Sequence, residues 1–385
     1  MAARGNAAGL RKRHITQERS NRSDKLNRYR KETAMDALTF LTETTNTGAS
    51  DLFIVAGLPL SYKKNGSLVT MDTDKIMPAQ SESMIREIYQ LADNRDINRF
   101  LETGDDDFSF AVRGLSRYRV STYKQRGSMA AVIRVITFQL PNPSDLGIPD
   151  SIIELGNTNK GLVLVTGPAG SGKSTTLACI IDAINRTQEK HIITLEDPLE
   201  FLHSHKKSIV SQREINTDTE SYIMALRASL RQSPDVILLG EMRDYETMAV
   251  AMTAAETGHL VLSTLHTLGA ANTIDRIIDV FPPNQQRQIA VQLSSVLRAV
   301  VSQQLVPDVN EGLTPAFEIM KTTPAIKNMI RENKVHQIDG IIYSSAGGDM
   351  VSMDASLQRL VKEGRISRHE ALGHASNPEM LGKRI

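Results

Sequence analysis

The chain has 385 residues, 40% of them hydrophobic and 23% charged, with a formal net charge of +1. That is the make-up of an ordinary globular protein long enough for two or three domains. A single cysteine, Cys179, excludes an internal disulfide and a four-cysteine zinc site, no apolar run approaches the roughly 20 residues that span a bilayer, and the lack of Trp among only 4% aromatic residues argues against base-stacking platforms.

The first segment is a basic tail. Residues 1–34 carry ten Lys and Arg against three acids, a net +7 that leaves −6 for the remainder. Residues 1–35 are expected to be a disordered solvated arm, with contact to anionic lipid or an acidic partner as the alternative. From Asp36 to about Glu43, Leu38, Phe40 and Leu41 have the spacing of a short amphipathic helix. Asp51-Leu-Phe-Ile-Val-Ala and Leu60-Ser-Tyr-Lys-Lys read as strands, and Asn65-Gly66 as a hairpin turn. A helical segment around 80–103 is followed by strand-like runs at 107–112, 117–124 and 129–137, with Gly114 and Gly127 in the turns. This predicts an α+β domain over 36–138. The turn formers of Gln139-Leu-Pro-Asn-Pro-Ser open a linker over 139–150.

The rhythm then changes. Gly161-Leu-Val-Leu-Val-Thr is a buried strand, followed by a glycine-rich turn and a helix near 173–186. Strand His191-Ile-Ile-Thr-Leu, helix 218–232, strand Val236-Ile-Leu-Leu, helix 244–257 and strand Leu260-Val-Leu-Ser-Thr come next. Apolar strands alternating with helices predict an α/β core over 151–310, a parallel sheet covered on both faces. From about 284 the pattern reads as helical throughout, broken at Pro307, Gly312 and Gly347-Gly348, so a C-terminal helical region is expected over 311–385.

Four motifs carry chemistry. Gly167-Pro-Ala-Gly170-Ser171-Gly172-Lys173-Ser174 matches the whole of G-x-x-x-x-G-K-[ST], with a strand before it and a helix after it. Such glycines let backbone amides wrap a polyphosphate at a helix N-terminus. Lys173 is expected at the β/γ-phosphates and the Ser174 hydroxyl on Mg²⁺. Glu196-Asp-Pro-Leu-Glu200 closes the next strand, where a carboxylate can position or deprotonate water. Asp235-Val-Ile-Leu-Leu-Gly240-Glu241 ends another buried strand in an acid suited to Mg²⁺ and water positioning. His259 and His266 bracket the last strand. Satisfied structural histidines are weighed there against a sensor or coupling role, and a zinc site is not expected because Cys partners are absent.

These motifs, in this order, resemble the secretion-type hexameric ATPases and, within them, the PilT/PilU twitching-motility ATPases that retract type IV pili. The resemblance covers roughly 36–380. It is carried by Gly48-Ala-Ser-Asp-Leu, Gly167 to Thr175, Ile193-Thr-Leu-Glu-Asp-Pro-Leu-Glu200-Phe, Gln212-Arg-Glu, Gly240-Glu-Met-Arg-Asp, Ala255-Glu-Thr-Gly-His and Thr264-Leu-His-Thr. It implies a PAS-like N-terminal domain, a RecA-like core with C-terminal helices, and a homohexameric ring using ATP and Mg²⁺. By the same resemblance Glu200 is the catalytic base, Glu241 the Walker B acid, and His266 with His259 the histidine box. Gly167, Gly170, Ser171, Gly172, Lys173, Ser174 and Thr175 bind nucleotide, and so do Arg117, Arg119 and Arg134. For these arginines the competing reading is exposed strand residues holding local acids.

Implied partners are an inner-membrane pilus platform protein and a paralogous retraction ATPase; nucleic acid is not expected. The implied location is cytoplasmic, at the inner face of the inner membrane through those partners. Ala325-Ile-Lys327-Asn-Met-Ile-Arg-Glu resembles a helix motif linked to retraction, with Lys327 in place of the usual Arg. Ala169 replaces the usual Thr of the phosphate loop, at a position that contributes mainly backbone. The basic tail has no counterpart in the family. The alternatives are an assembly-type secretion or pilus-extension ATPase, whose usual four-cysteine module is lacking here, a nucleic-acid translocase, and a non-enzymatic assembly factor.

Overall fold

The computed structural model describes residues 35–385 except 65, 73, 137–139, 311 and 346–348. The basic tail, Asn65 of the expected hairpin turn, the start of the linker at Gln139 and the Gly347-Gly348 break lie outside the described residues. Two compact units divide at Val135/Ile136.

In the first unit, helix α1 (Ala37–Asn46) begins where the Asp36 side chain accepts the Thr39 amide. Strands β1 (Asp51–Ile54), β2 (Ser61–Lys64) and β3 (Ser67–Thr70) follow. The helical stretch near 80–103 is two helices, α2 (Pro78–Leu91) and α3 (Asn98–Thr103), because Asp93 and Asn94 take left-handed conformations between them. Strands β4 (Asp105–Val112), β5 (Ser116–Gln125) and β6 (Ser128–Ile136) complete a six-stranded sheet of order β3-β2-β1-β6-β5-β4. Alternate residues Leu52, Ile54, Phe108, Phe110, Tyr118, Val120 and Ile133 face Phe40, Leu41, Ile85, Ile88 and Phe100 of the helices. Among the described residues of this core, one carboxyl group is buried. Asp106 is buried and accepts from Arg95 Nε at 3.0 Å, Arg95 Nη2 at 3.1 Å and Tyr89 Oη at 3.0 Å.

The second unit opens with α4 (Asp150–Ile153) and is built on a seven-stranded sheet, in the order β13 (Leu313–Lys321), β12 (Leu297–Pro307), β7 (Gly161–Thr166), β11 (Leu260–Leu265), β10 (Val236–Leu239), β8 (His191–Glu196) and β9 (Ile209–Glu214). Strands β7 (Gly161–Thr166), β8 (His191–Glu196), β10 (Val236–Leu239) and β11 (Leu260–Leu265) are parallel and lie where the apolar runs predict. Helices α5 (Lys173–Thr187), α6 (Tyr222–Ser229) and α7 (Tyr245–Thr257) connect them. Helix α6 is shorter than the predicted 218–232, because Ser221 caps it through the Met224 amide. Strand β9 (Ile209–Glu214), at the edge of the sheet, is missed by periodicity because Ser211-Gln-Arg-Glu gives it no apolar run.

The reading of everything beyond 284 as helical is wrong. After α8 (Ala270–Asp279) and α9 (Pro283–Val296), strands β12 (Leu297–Pro307) and β13 (Leu313–Lys321) form an antiparallel hairpin, and β12 pairs in parallel with β7. Most positions of both strands are buried, so no two-residue alternation is visible. Moreover, α9 passes into β12 between Val296 and Leu297 with no Gly or Pro to mark the change. The chain ends in α10 (Pro324–Arg331), α11 (Ile338–Ser344), α12 (Met353–Lys362), α13 (Arg368–His374) and α14 (Pro378–Gly382). Leu357, Leu360, Ile366, Ala371 and Leu381 of this end pack on Val306 and Ala316 of the hairpin.

Candidate nucleotide site

The carboxyl ends of β7, β8, β10 and β11 meet at one edge of the parallel sheet, the position at which open α/β sheets bind ligands. β7 runs into the glycine turn, and α5 starts at Lys173. Gly167 has φ +141°, and a Cβ there would lie 2.1 Å from the Gln303 carbonyl oxygen. Gly172 has φ +84°, and a Cβ there would lie 2.9 Å from Gln303 Nε2. Gly167 is therefore closed to larger residues by conformation and by backbone crowding, and Gly172 by its left-handed conformation. Lys173 Nζ donates to the carbonyl oxygens of Gly167 (3.0 Å) and Pro168 (2.8 Å), which draws the lysine back across the turn. Burial pushes its pKa down, against the pull of Glu241 and Glu200. Ser174 and Thr175 occupy the first turn of α5 and are half-buried. Thr166 Oγ1 and Ser171 Oγ are buried without a hydrogen-bond partner. A lysine, free hydroxyls and the amino end of a 15-residue helix suit a polyphosphate.

Glu241 stands at the end of β10. A Cβ on the preceding Gly240 would come 2.9 Å from Tyr222 Oη and 3.2 Å from the Leu195 carbonyl, so glycine lets this strand end pass close to β8. Thr264 Oγ1 donates to the Gly240 carbonyl at 2.6 Å and ties the ends of β10 and β11 together. The Glu241 carboxylate pairs with Arg243 Nη2 on one oxygen, and on the other His266 Nε2 lies 3.3 Å away. The Arg243 contact leads in holding Glu241 below the usual carboxylate range, with His266 assisting and burial opposing. Glu196, at the end of β8, is pushed up to about 7 by burial, with Thr194 and Gln212 opposing and Glu200 and Glu214 adding to the rise. Leu199 is buried and anchors the loop that leaves Glu200 exposed. The structure thus brings Lys173, Ser174, Glu241 and His266 to one edge.

The family model described as Type II/IV secretion system protein matches residues 32–370. The chain belongs to this family. It is 44% identical over 345 residues to the type IV pilus retraction ATPase PilT of Pseudomonas aeruginosa, covering 90% of this chain and 99% of that protein. It is 39% identical over 335 residues to the type IV pilus ATPase PilU of the same organism, covering 87% of each. Among solved structures it resembles the pilus retraction motor PilT with bound ADP, at 42% identity and a TM-score of 0.83, covering 91% of this chain and 99% of that one.

Two further features bear on this secretion-family site. His259 is at the amino end of β11, where its Nδ1 meets the Ala254 carbonyl at 2.9 Å and its own carbonyl accepts the Gly161 amide. The six residues of β11 separate it from His266 by roughly 20 Å, so within one chain it does not join the Glu241 cluster. Conversely, the unpredicted hairpin places the buried polar residues Gln303, Ser302 and Glu318 against the elements around the site. Gln303 Oε1 accepts from Thr176 Oγ1 at 2.7 Å, Ser302 Oγ from the Gly269 amide at 3.0 Å, and Glu318 Oε1 from the Ala270 amide at 2.8 Å. Buried polar residues inside a misread strand carry no periodic signal.

Arg117, Arg119 and Arg134 belong to the first unit. On β5 the first two alternate with buried Tyr118 and Val120, and on β6 Arg134 follows buried Ile133, so all three sit on the sheet face away from the core. Arg134 Nε bonds Asp51 Oδ1 at 3.1 Å and is mostly exposed.

Proposed function

We propose that this chain is an ATP-hydrolysing motor that powers pilus retraction by removing pilin from the fibre. The observation that carries the reading is the phosphate loop facing Glu241 and His266 at one sheet edge, in a chain 44% identical to a retraction ATPase over nearly the whole of both proteins. ATP is the substrate. Backbone amides of 167–172 and the start of α5 would cradle the phosphates, with Lys173 leaving the Gly167 and Pro168 carbonyls for the β/γ oxygens. Among the described residues no group of three or more His, Cys, Asp or Glu could hold a metal. The hard oxygens of Ser174 and Glu241 fit Mg²⁺ carried on phosphate oxygens and water, which when bound supplies charge neutralisation.

Glu200 is the proposed base. It is exposed on a short loop after β8 and reaches Lys173 electrostatically. It would take a proton from the attacking water while the Glu241–His266 pair orients that water and reports γ-phosphate loss. Arg117, Arg119 and Arg134 are proposed to reach nucleotide from the first unit, and His259 to act in coupling between chains. The working form is a homohexamer on the inner face of the inner membrane. It is held there by a platform protein and joined by a paralogous ATPase; among the described residues no helix is long and apolar enough to cross a membrane. Helix α10 carries the proposed retraction motif, with Ile326 and Ile330 buried and Arg331 exposed.

The direct test is Mg-ATP hydrolysis by the purified full chain, with particle mass measured with and without nucleotide. Deletion of the gene should leave cells over-piliated and unable to twitch. Bald cells would instead assign the chain to pilus extension.

A further inference from the structure

Gln303 touches the phosphate loop at two places and the helix behind it at a third. Its carbonyl oxygen occupies the hollow that a Gly167 side chain would need, its Nε2 occupies the corresponding hollow at Gly172, and its Oε1 accepts the Thr176 hydroxyl hydrogen at 2.7 Å. Gly167 and Gly172 are the first and last glycines of the turn, and Thr176 belongs to the first turn of the helix that carries Lys173 and Ser174. Gln303 and Thr176 are both buried. One residue on β12 therefore packs against both ends of the loop, with its main chain at Gly167 and its side chain at Gly172, and bonds the start of the helix behind it. The strand is a stiff support for this purpose, because β12 is hydrogen-bonded to β7 on one side and to β13 on the other.

We propose that Gln303 is a positioning residue for phosphate binding, its side-chain amide acting through Gly172 and Thr176 to aim the loop amides and Lys173. The inference rests on the nucleotide-site reading above and adds a residue to it. The physical reason is preorganisation. Loop amides bind phosphate well only when they already converge, and a displacement of about 1 Å can cost about a hundredfold in rate. A side chain that only filled space could be replaced by an apolar one of similar size without moving the loop. A side chain that positions through its amide group could not.

The experiment uses the full-length protein and Mg-ATP. Wild type must bind and hydrolyse ATP; if it does neither, the nucleotide-site reading itself fails and Gln303 is not at issue. Given an active wild type, Gln303→Leu should raise KM for ATP at least about tenfold. Because this leaves the Thr176 hydroxyl buried without its acceptor, Tm should also fall. The double variant Thr176→Val with Gln303→Leu removes both polar groups, so Tm should recover to within about 2 °C while KM stays raised. Gln303→Glu keeps the acceptor for Thr176 but places a carboxyl oxygen beside Gly172, so it should raise KM for ATP more than Gln303→Leu does. A double variant that regains both Tm and wild-type KM would reduce Gln303 to a packing role. A folded Gln303→Glu protein with wild-type KM would overturn the proposal independently.

Discussion

His266 Nε2 stands 3.3 Å from Glu241 Oε2, joining the carboxyl ends of β11 and β10. Glu241 meets Arg243 on its other oxygen, so one carboxylate links the strand end to a guanidinium and an imidazole. Removing the imidazole should leave ATP binding intact and slow turnover. We expect His266→Ala to lower kcat by about ten- to a hundredfold with little change in KM. Steady-state kinetics check this, and a change confined to KM would contradict it.

Lys173→Ala should abolish tight nucleotide binding. The lysine is buried against carbonyl oxygens that no neutral side chain would exploit. Fluorescent-nucleotide titration should show affinity lowered by at least about a hundredfold, in line with losing a charge-assisted phosphate contact.

Glu200→Gln separates binding from chemistry. The amide keeps the size of the side chain and loses its basicity. ATP should bind as in wild type and be hydrolysed about 10²–10⁴-fold more slowly. Near-normal hydrolysis would pass the role of base to Glu196 or Glu241.

Glu196 gives a pH signature. Burial raises its folded-state pKa to about 7, above the ordinary glutamate value. The folded protein therefore holds a proton that the unfolded chain has released. This stabilising contribution is full below about pH 4 and declines as pH rises through about 7. Glu196→Gln should flatten the fall of Tm between pH 5 and pH 8, with the variant gaining most on wild type at the alkaline end. Parallel Tm-against-pH curves for the two proteins would refute the assignment.

Asp106→Ala should destabilise the first unit by about 1–3 kcal/mol, because it removes the buried acceptor shared by Tyr89 and the partly exposed Arg95. Burial, with Asp106 adding, pushes the Tyr89 phenol up to about 12. In the variant that value should fall partway toward the ordinary tyrosine range, which a spectrophotometric titration can follow.

By itself the sequence determined the parallel β7, β8, β10 and β11, the phosphate loop between β7 and α5, and the acids at strand ends. Each of these is a local pattern. An apolar run bounded by turn formers is a buried strand wherever it lies, and a glycine-rich turn with Lys173 has one ready use. The family followed from the order of those patterns.

The tertiary structure alone decided what β12, β13 and β9 are. Leu297–Pro307 is buried on both faces between β7 and β13, so its side chains show neither the period of a strand nor that of an exposed helix. That misreading hid Gln303, Ser302 and Glu318, whose meaning depends on Gly167, Gly172, Thr176 and Ala270, up to about 130 residues away in the chain. Contacts between distant segments are set by how the sheet is ordered, and sheet order is a property of the whole fold.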